Sequence, residues 1–322
     1  MKKFLKFCLI AAVILILVGL ILGVASTAAG GGKDVARMAE NGELTFDGEF
    51  FDFSFLGAEV DFEDTFDFDG AEPLYDLEDV EVFDGSTEIL SGDISRMELA
   101  VGNVTDFEIA LGGGEFFIQG SEDGKFYLEA ESAEKLQVYA EDETLHLKAL
   151  RTKTNDVGMK MTLYIPADVS YDEMQLELGA GVFKLEVPLT LESFEGEVGA
   201  GQMIIDGLTC NTMDINVGAG EFLGESILVN DEAELKVGAG HIGLQGDVKG
   251  DLDVECSLGG AELTLAGAEI DFNYEIECAA GSVVAGTAEF SGLSSERSVD
   301  NGASKEMNLE CAMGAIEVEF EE

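Results

Sequence analysis

The sequence predicts an all-β fold: a β-solenoid, parallel β-helix-like, with coils of about 20 residues and one transmembrane helix in front. Three observations carry the prediction. First, the phrase apolar-x-apolar-Gly-Ala-Gly-x-apolar-x-apolar recurs between Leu176 and Val318. Its copies start at Leu176, Gly196, Ile215, Leu235, Cys256, Ile276 and Leu309, so successive steps are 20, 19, 20, 21, 20 and 33 residues. A regular period of this size marks a repeat architecture. Second, aligned copies give columns of uniform polarity. Third, residues Phe7 to Val24 are apolar and uncharged.

Each copy reads as two short strands meeting at a corner. Side chains alternate faces along a strand. Leu235, Val237 and Ala239 share one parity; Ile242 and Leu244 share the other. The chain must therefore bend near Gly240 to keep both sets inside. Glycine is expected there for unusual backbone angles, and alanine for a crowded inner corner. Two inward columns follow. One is Leu178, Val198, Val217, Val237, Leu258, Cys278 and Cys311; the other is Phe183, Met203, Phe222, Ile242, Leu263, Val283 and Ile316. Lys184, Gln202, Glu221, His241 and Glu262 form an outward position. An outlying copy starts at Ile109, and residues 86–175 begin the domain with Ile94, Met97, Leu99 and Val101 in an irregular first coil.

Three regions result. Residues 1–29 form a cytoplasmic tail and membrane anchor, 30–85 an acidic Phe-rich linker and 86–322 the repeat domain. Lysines before the apolar run and acidity after it place the rest of the chain outside the cytoplasm, a single-pass membrane protein. The length of the run favours an uncleaved anchor; the small residues Ala25 to Ala29 would suit a cleaved signal peptide. From Glu40 to Asp84 there is no lysine or arginine, and phenylalanines alternate with acids. Such a segment reads as a solvated linker whose rings could pack on a sheet edge or meet a partner. Thr65 to Asp76 resembles a calcium loop only faintly, since Thr65 and Asp76 replace the expected end ligands.

The formal net charge is −49, from 66 acidic and 17 basic residues. That balance disfavours nucleic acid and anionic lipid. It favours a basic protein or envelope partner and weak, distributed divalent cations. Five cysteines make no CxxC pair. Cys278 and Cys311 share a column, where a disulfide is conceivable and plain buried thiols are the simpler reading. His146 and His241 point outward without motif partners. No catalytic, cofactor-binding or metal-ligating residue is singled out, and no phosphate loop, G-x-S-x-G or H-E-x-x-H appears. The expectation is a protein that is not an enzyme and needs no cofactor. Arg151–Gly158, with Lys148 and Lys160, forms the main basic cluster. Ser291–Lys305 breaks the period and is expected to leave the stack as a loop, either a tolerated surface insertion or a binding element. Acids on the last strand would discourage edge pairing.

The segments MKKFLKFCLIAAVILILVGLIL, LYIPADVSYDEMQLELGAG and the repeated VGAG phrases carry a resemblance. The chain resembles a bacterial, adhesin-labelled family of unknown function with β-strand repeats, related to the toastrack domains of envelope-stress systems. The resemblance covers roughly residues 86–322 and is strongest to Gram-positive versions. It implies a membrane-attached, extracytoplasmic β-solenoid with no catalytic motif. Two functions follow: a surface interaction or adhesin-like protein, or alternatively an envelope-stress sensor or regulator acting through a membrane partner.

Overall fold

The computed structural model describes residues 90–141, 143–150, 158–291 and 295–321. The strands are β1 (Leu90–Leu99), β2 (Asp106–Leu111), β3 (Glu115–Ser121), β4 (Phe126–Glu141), β5 (Thr144–Leu150), β6 (Lys160–Pro166), β7 (Ser170–Leu178), β8 (Val182–Leu185), β9 (Leu189–Val198) and β10 (Gln202–Val217). They continue with β11 (Glu221–Val237), β12 (His241–Val248), β13 (Asp251–Cys256), β14 (Gly260–Ala266), β15 (Phe272–Cys278), β16 (Ser282–Ala285), β17 (Ala288–Ser291), β18 (Ser295–Val299), β19 (Lys305–Cys311) and β20 (Ala315–Glu321). All belong to one 20-stranded sheet.

Each repeat is one layer: a first strand, a glycine corner and a second strand. Neighbouring layers pair in parallel, as in Val217↔Val237 and Met203↔Phe222. Burial alternates along the strands: on β2, Phe107, Ile109 and Leu111 are buried, while Asp106, Glu108 and Ala110 are half-buried. The inward residues form a single apolar cluster from Leu99 to Val318. Burying a Val, Leu, Ile or Phe is worth about 1.5–3 kcal/mol relative to leaving it exposed, which holds the layers together.

The all-β class stands, but a solenoid led by a transmembrane helix is not the fold. A solenoid advances one coil per repeat in chain order, and this sheet does not. The layer β2–β3 lies between β5–β6 and β7–β8. The last layer, β19–β20, lies between β13–β14 and β15–β16. Both ends carry antiparallel strands: β4 against β1, β5 and β6 at one end, and β17 and β18 against β16 and β15 at the other. Among the described residues no helix is long and apolar enough to cross a membrane, and the one helical piece is a 3-10 turn at Glu269–Asp271. The apolar run Phe7–Val24 lies outside them, as do the acidic Phe-rich linker and the Thr65–Asp76 segment.

The columns need adjustment too. Val237 stacks on Cys256, then Cys311, then Cys278. Leu258 is instead 43% exposed. Ala261, not Leu263, follows Ile242. The corner keeps its length, since Val237 pairs with Cys256 and Ile242 with Ala261; this copy begins at Val254, beside Leu235, rather than at Cys256, which displaced the alignment. Ala239 and its equivalents Ala200 and Ala219 are exposed, so alanine does not fill the inner corner. The second glycine of the corner is needed for close approach rather than for its backbone angles. A Cβ on Gly240 would lie 2.3 Å from the Gly220 carbonyl oxygen, and one on Gly220 2.4 Å from that of Gly201. Corner glycines stack so tightly that no side chain fits between them.

Two further expectations change. Residues of Ser291–Lys305 form β18, which pairs antiparallel with β15 from Tyr274↔Val299 to Cys278↔Ser295, so this part caps the sheet instead of leaving it. The charged last strand β20 is not an edge, because β14 and β16 flank it.

Candidate interaction face

On the first strand of every layer, residues between the buried positions point outward. Layer pairing aligns them into two neighbouring columns. One runs His146, Glu108, Gln175, Glu195, Asp214, Glu234, Asp253, Asn308 and Glu275. The other runs Lys148, Ala110, Glu177, Glu197, Asn216, Lys236, Glu255, Glu310 and Glu277. Successive members are one strand spacing apart, about 4.8 Å. At that distance two carboxylates repel by roughly 0.9 kcal/mol even in water, and more against a protein surface.

The basic side chains on the face are engaged. His146 Nδ1 lies 3.0 Å and Lys148 Nζ 3.3 Å from Glu108, and His146 stacks on the Tyr139 ring. The His146 hydrogen bond holds the Glu108 carboxyl below its usual range. Burial lowers Lys148 to about 8. Lys236 Nζ is 2.5 Å from Glu234. Burial, and then neighbouring carboxylates, push Glu195, Asp214 and Glu310 above the ordinary range. The charge is densest around a hollow of ≈ 310 Å³ lined by Glu234, Asp253, Glu255, Glu275, Glu277, Asn308 and Glu310. Among the described residues, no three His, Cys, Asp or Glu side chains converge in a way that could hold a metal ion. The face presents a field rather than a chelating site.

Sequence reasoning placed the carboxylates but not the columns, since acids occur throughout. The usable signal was parity: the positions one and three residues before the last inward side chain of each first strand. The outward set Lys184, Gln202, Glu221, His241 and Glu262 does not form one column. Gln202, Glu221 and His241 stack, followed by Gly260, whereas Lys184 pairs with Ile204 and Glu262 with Gly243. His146 and His241 are not brought together: one is on β5, the other opens β12. Of the basic cluster, Lys148 contacts Glu108 and Lys160 lies over the Phe117 ring; residues 151–157 lie outside the described set.

A protein-family model, Toastrack DUF4097, matches residues 104–289. The chain belongs to the Toastrack DUF4097 family. The match begins in the turn before β2 and ends within β17, so β19 and β20 lie beyond it. Solved structures with a similar fold include a "putative adhesin" from Bacteroides fragilis NCTC 9343, with 20% identity and a TM-score of 0.44, covering 72% of this chain and 98% of that one. A "putative cell adhesion protein" from Clostridium sporogenes ATCC 15579 has 16% identity and a TM-score of 0.29, covering 70% and 99%. A "putative lipid binding protein" from Parabacteroides distasonis ATCC 8503 has 12% identity and a TM-score of 0.31, covering 70% and 93%. Among curated proteins no sequence matches the chain.

Proposed function

We propose that this Toastrack domain is a non-enzymatic, adhesin-like interaction module outside the cytoplasm, held at the cell membrane by the segment 1–29. The observation that carries the reading is the pair of outward carboxylate columns on a rigid sheet. A partner with cationic groups would relieve repulsion along the whole face at once, so the chemistry favours a basic protein or peptide surface. Divalent cations would associate weakly and along the columns. Such binding should be fast and steeply salt-dependent.

The test uses poly-L-lysine as the probe. Binding to the full chain is compared with binding to the E195Q/D214N/E255Q/E310Q variant at low and high salt. The reading requires binding that weakens with salt and falls in the variant. Equal binding by the two proteins would reject this face as the contact.

A further inference from the structure

The second-strand face differs from the acidic one. At its β1 end is a cleft of ≈ 940 Å³ whose lining includes Ile94, Arg96, Phe117, Lys160 and Tyr164. Arg96 is held between two rings, 4.4 Å from the Tyr127 centroid and 4.3 Å from that of Tyr164. Its guanidinium is 4.0 Å from Glu129. Lys160 Nζ lies 5.0 Å over the Phe117 ring. Lys184 is the register neighbour of Phe117, and Ile204 and Leu223 continue the same outward column. The cleft thus opens onto an apolar track of Phe117, Ile204 and Leu223. Neither Lys160 nor Lys184 has an ion-pair partner among the described residues. Asp93, Glu129, Glu131 and Glu186 also line the cleft, so an occupant must bring apolar surface and confine its negative charge to the neighbourhood of Lys160 and Lys184.

We propose that this cleft and its track are the docking site for the chain's own segment Phe53–Asp69. The segment has five phenylalanines, six acids and no basic residue. Val60-Asp61-Phe62-Glu63 and Phe66-Asp67-Phe68-Asp69 alternate strictly. Laid out extended, they would put rings on one side and carboxylates on the other. The rings would lie on Phe117, Tyr164, Ile204 and Leu223, and the long Lys160 and Lys184 side chains would reach past the strand's margin to its carboxylates. Continuity favours this occupant over a separate molecule. The segment ends at Asp69, and β1, which contributes Ile94 and Arg96 to the cleft, begins at Leu90. The intervening residues 70–89 can span up to about 65 Å when extended. A tethered ligand meets its site at an effective concentration of order millimolar. Weak aromatic and ionic contacts are then enough. The contact would cover the aromatic face, leaving the acidic face open to partners. It does not depend on the function proposed above.

The test is a photo-cross-link in the full chain. Benzoyl-phenylalanine replaces Phe62, and an equimolar mixture of light and heavy isotope-labelled protein is irradiated. Mass spectrometry should find links within one copy to residues 94–96, 117, 160–164 or 204. Lys160→Glu with Lys184→Glu should lower their yield about tenfold, because two attractive contacts become repulsive, while the thermal melt stays unchanged. Links between light and heavy copies would instead identify a second copy as the occupant. Links scattered over the first-strand face, no links at all, or a yield untouched by the charge reversal would each overturn the proposal.

Discussion

Replacing Gly240 with alanine adds one methyl group at the corner, and the structure fixes what it meets. The new Cβ would be 2.3 Å from the Gly220 carbonyl oxygen, 3.0 Å from the Gly220 nitrogen and 2.8 Å from Val217 Cγ1. Two of the three are backbone atoms, so no rotamer change relieves the clash. The layers must part locally. Two bonds join them there, Gly240 N–H to Gly218 O at 3.1 Å and His241 N–H to Gly220 O at 3.0 Å. Weakening two backbone hydrogen bonds costs about 1–3 kcal/mol, and forcing a methyl into a packed site about 1–3 kcal/mol. The expected loss is therefore about 2–6 kcal/mol. The control is Ala239→Ser, one residue away but exposed, with an effect within about 0.5 kcal/mol. Urea unfolding of the two variants, followed by circular dichroism, compares their midpoints. Equal midpoints would refute the view that close approach is why the corner is glycine.

Other expectations follow from the same geometry. Val237→Asp places an unpaired carboxylate where the native side chain is 2% exposed; it should cost about 4 kcal/mol or more, whereas the neighbouring Lys236→Asp should leave the melt within a few degrees of the parent. The two melts in parallel check the facing of this strand. Glu195, Asp214 and Glu310 have raised folded-state values, so the folded chain holds protons that the unfolded chain has released. Their contribution to stability is present at low pH and is lost as pH rises through those raised values. The melt should therefore move up as pH falls from neutrality through those raised values, before Glu108, held low by His146, loses its own contribution below the ordinary 4.5. A melt that only falls over that range would contradict the assignment. Cys210, Cys256, Cys278 and Cys311 are buried; burial raises the Cys210 thiol to about 12, and the hydrogen bond between Cys256 and Cys311 holds Cys256 above the usual range and Cys311 below it, so at Cys311 exclusion by burial alone must keep a reagent out. A thiol reagent should label none of these four in the native state and all of them in urea.

Much of the fold was legible because inward residues obey two simple periods. Leu235, Val237, Ile242 and Leu244 were placed correctly by alternation on either side of a glycine corner. Alternation says nothing about which layer neighbours which. Leu309–Val318 fits beside the Cys256 copy and the Ile276 copy equally well by polarity. Only the step of 33 residues hinted that the order was disturbed. The corner glycine was recognised for the wrong reason, since close contact between layers is invisible in one copy of the phrase. The acidic columns became visible only once the layers were in register. The aromatic cleft had no signal, because Arg96, Phe117, Lys160 and Tyr164 come from three separate strands.

The out-of-order layers solve a problem that any stack of parallel strands has at its ends. A terminal layer exposes a row of unpaired backbone groups, which invites another chain to add on. Here the final chain segment does not form the end. β19 is paired on both sides, by β13 and β15, and β20 by β14 and β16. The layer pushed outward, β15–β16, is then covered by antiparallel strands, β18 on β15 and β17 on β16. An antiparallel cap reverses the strand direction, so it cannot present the parallel edge that a further repeat would need. The other end is built likewise, with β2–β3 interior and β4 running antiparallel over both β5 and β6. Insertion has a kinetic consequence. Cys256 meets Cys311 across 55 residues of chain, so the layers after β14 cannot close until β19 and β20 are available. Such non-local pairing slows folding but binds the end of the chain into the sheet, where fraying would require breaking two ladders at once.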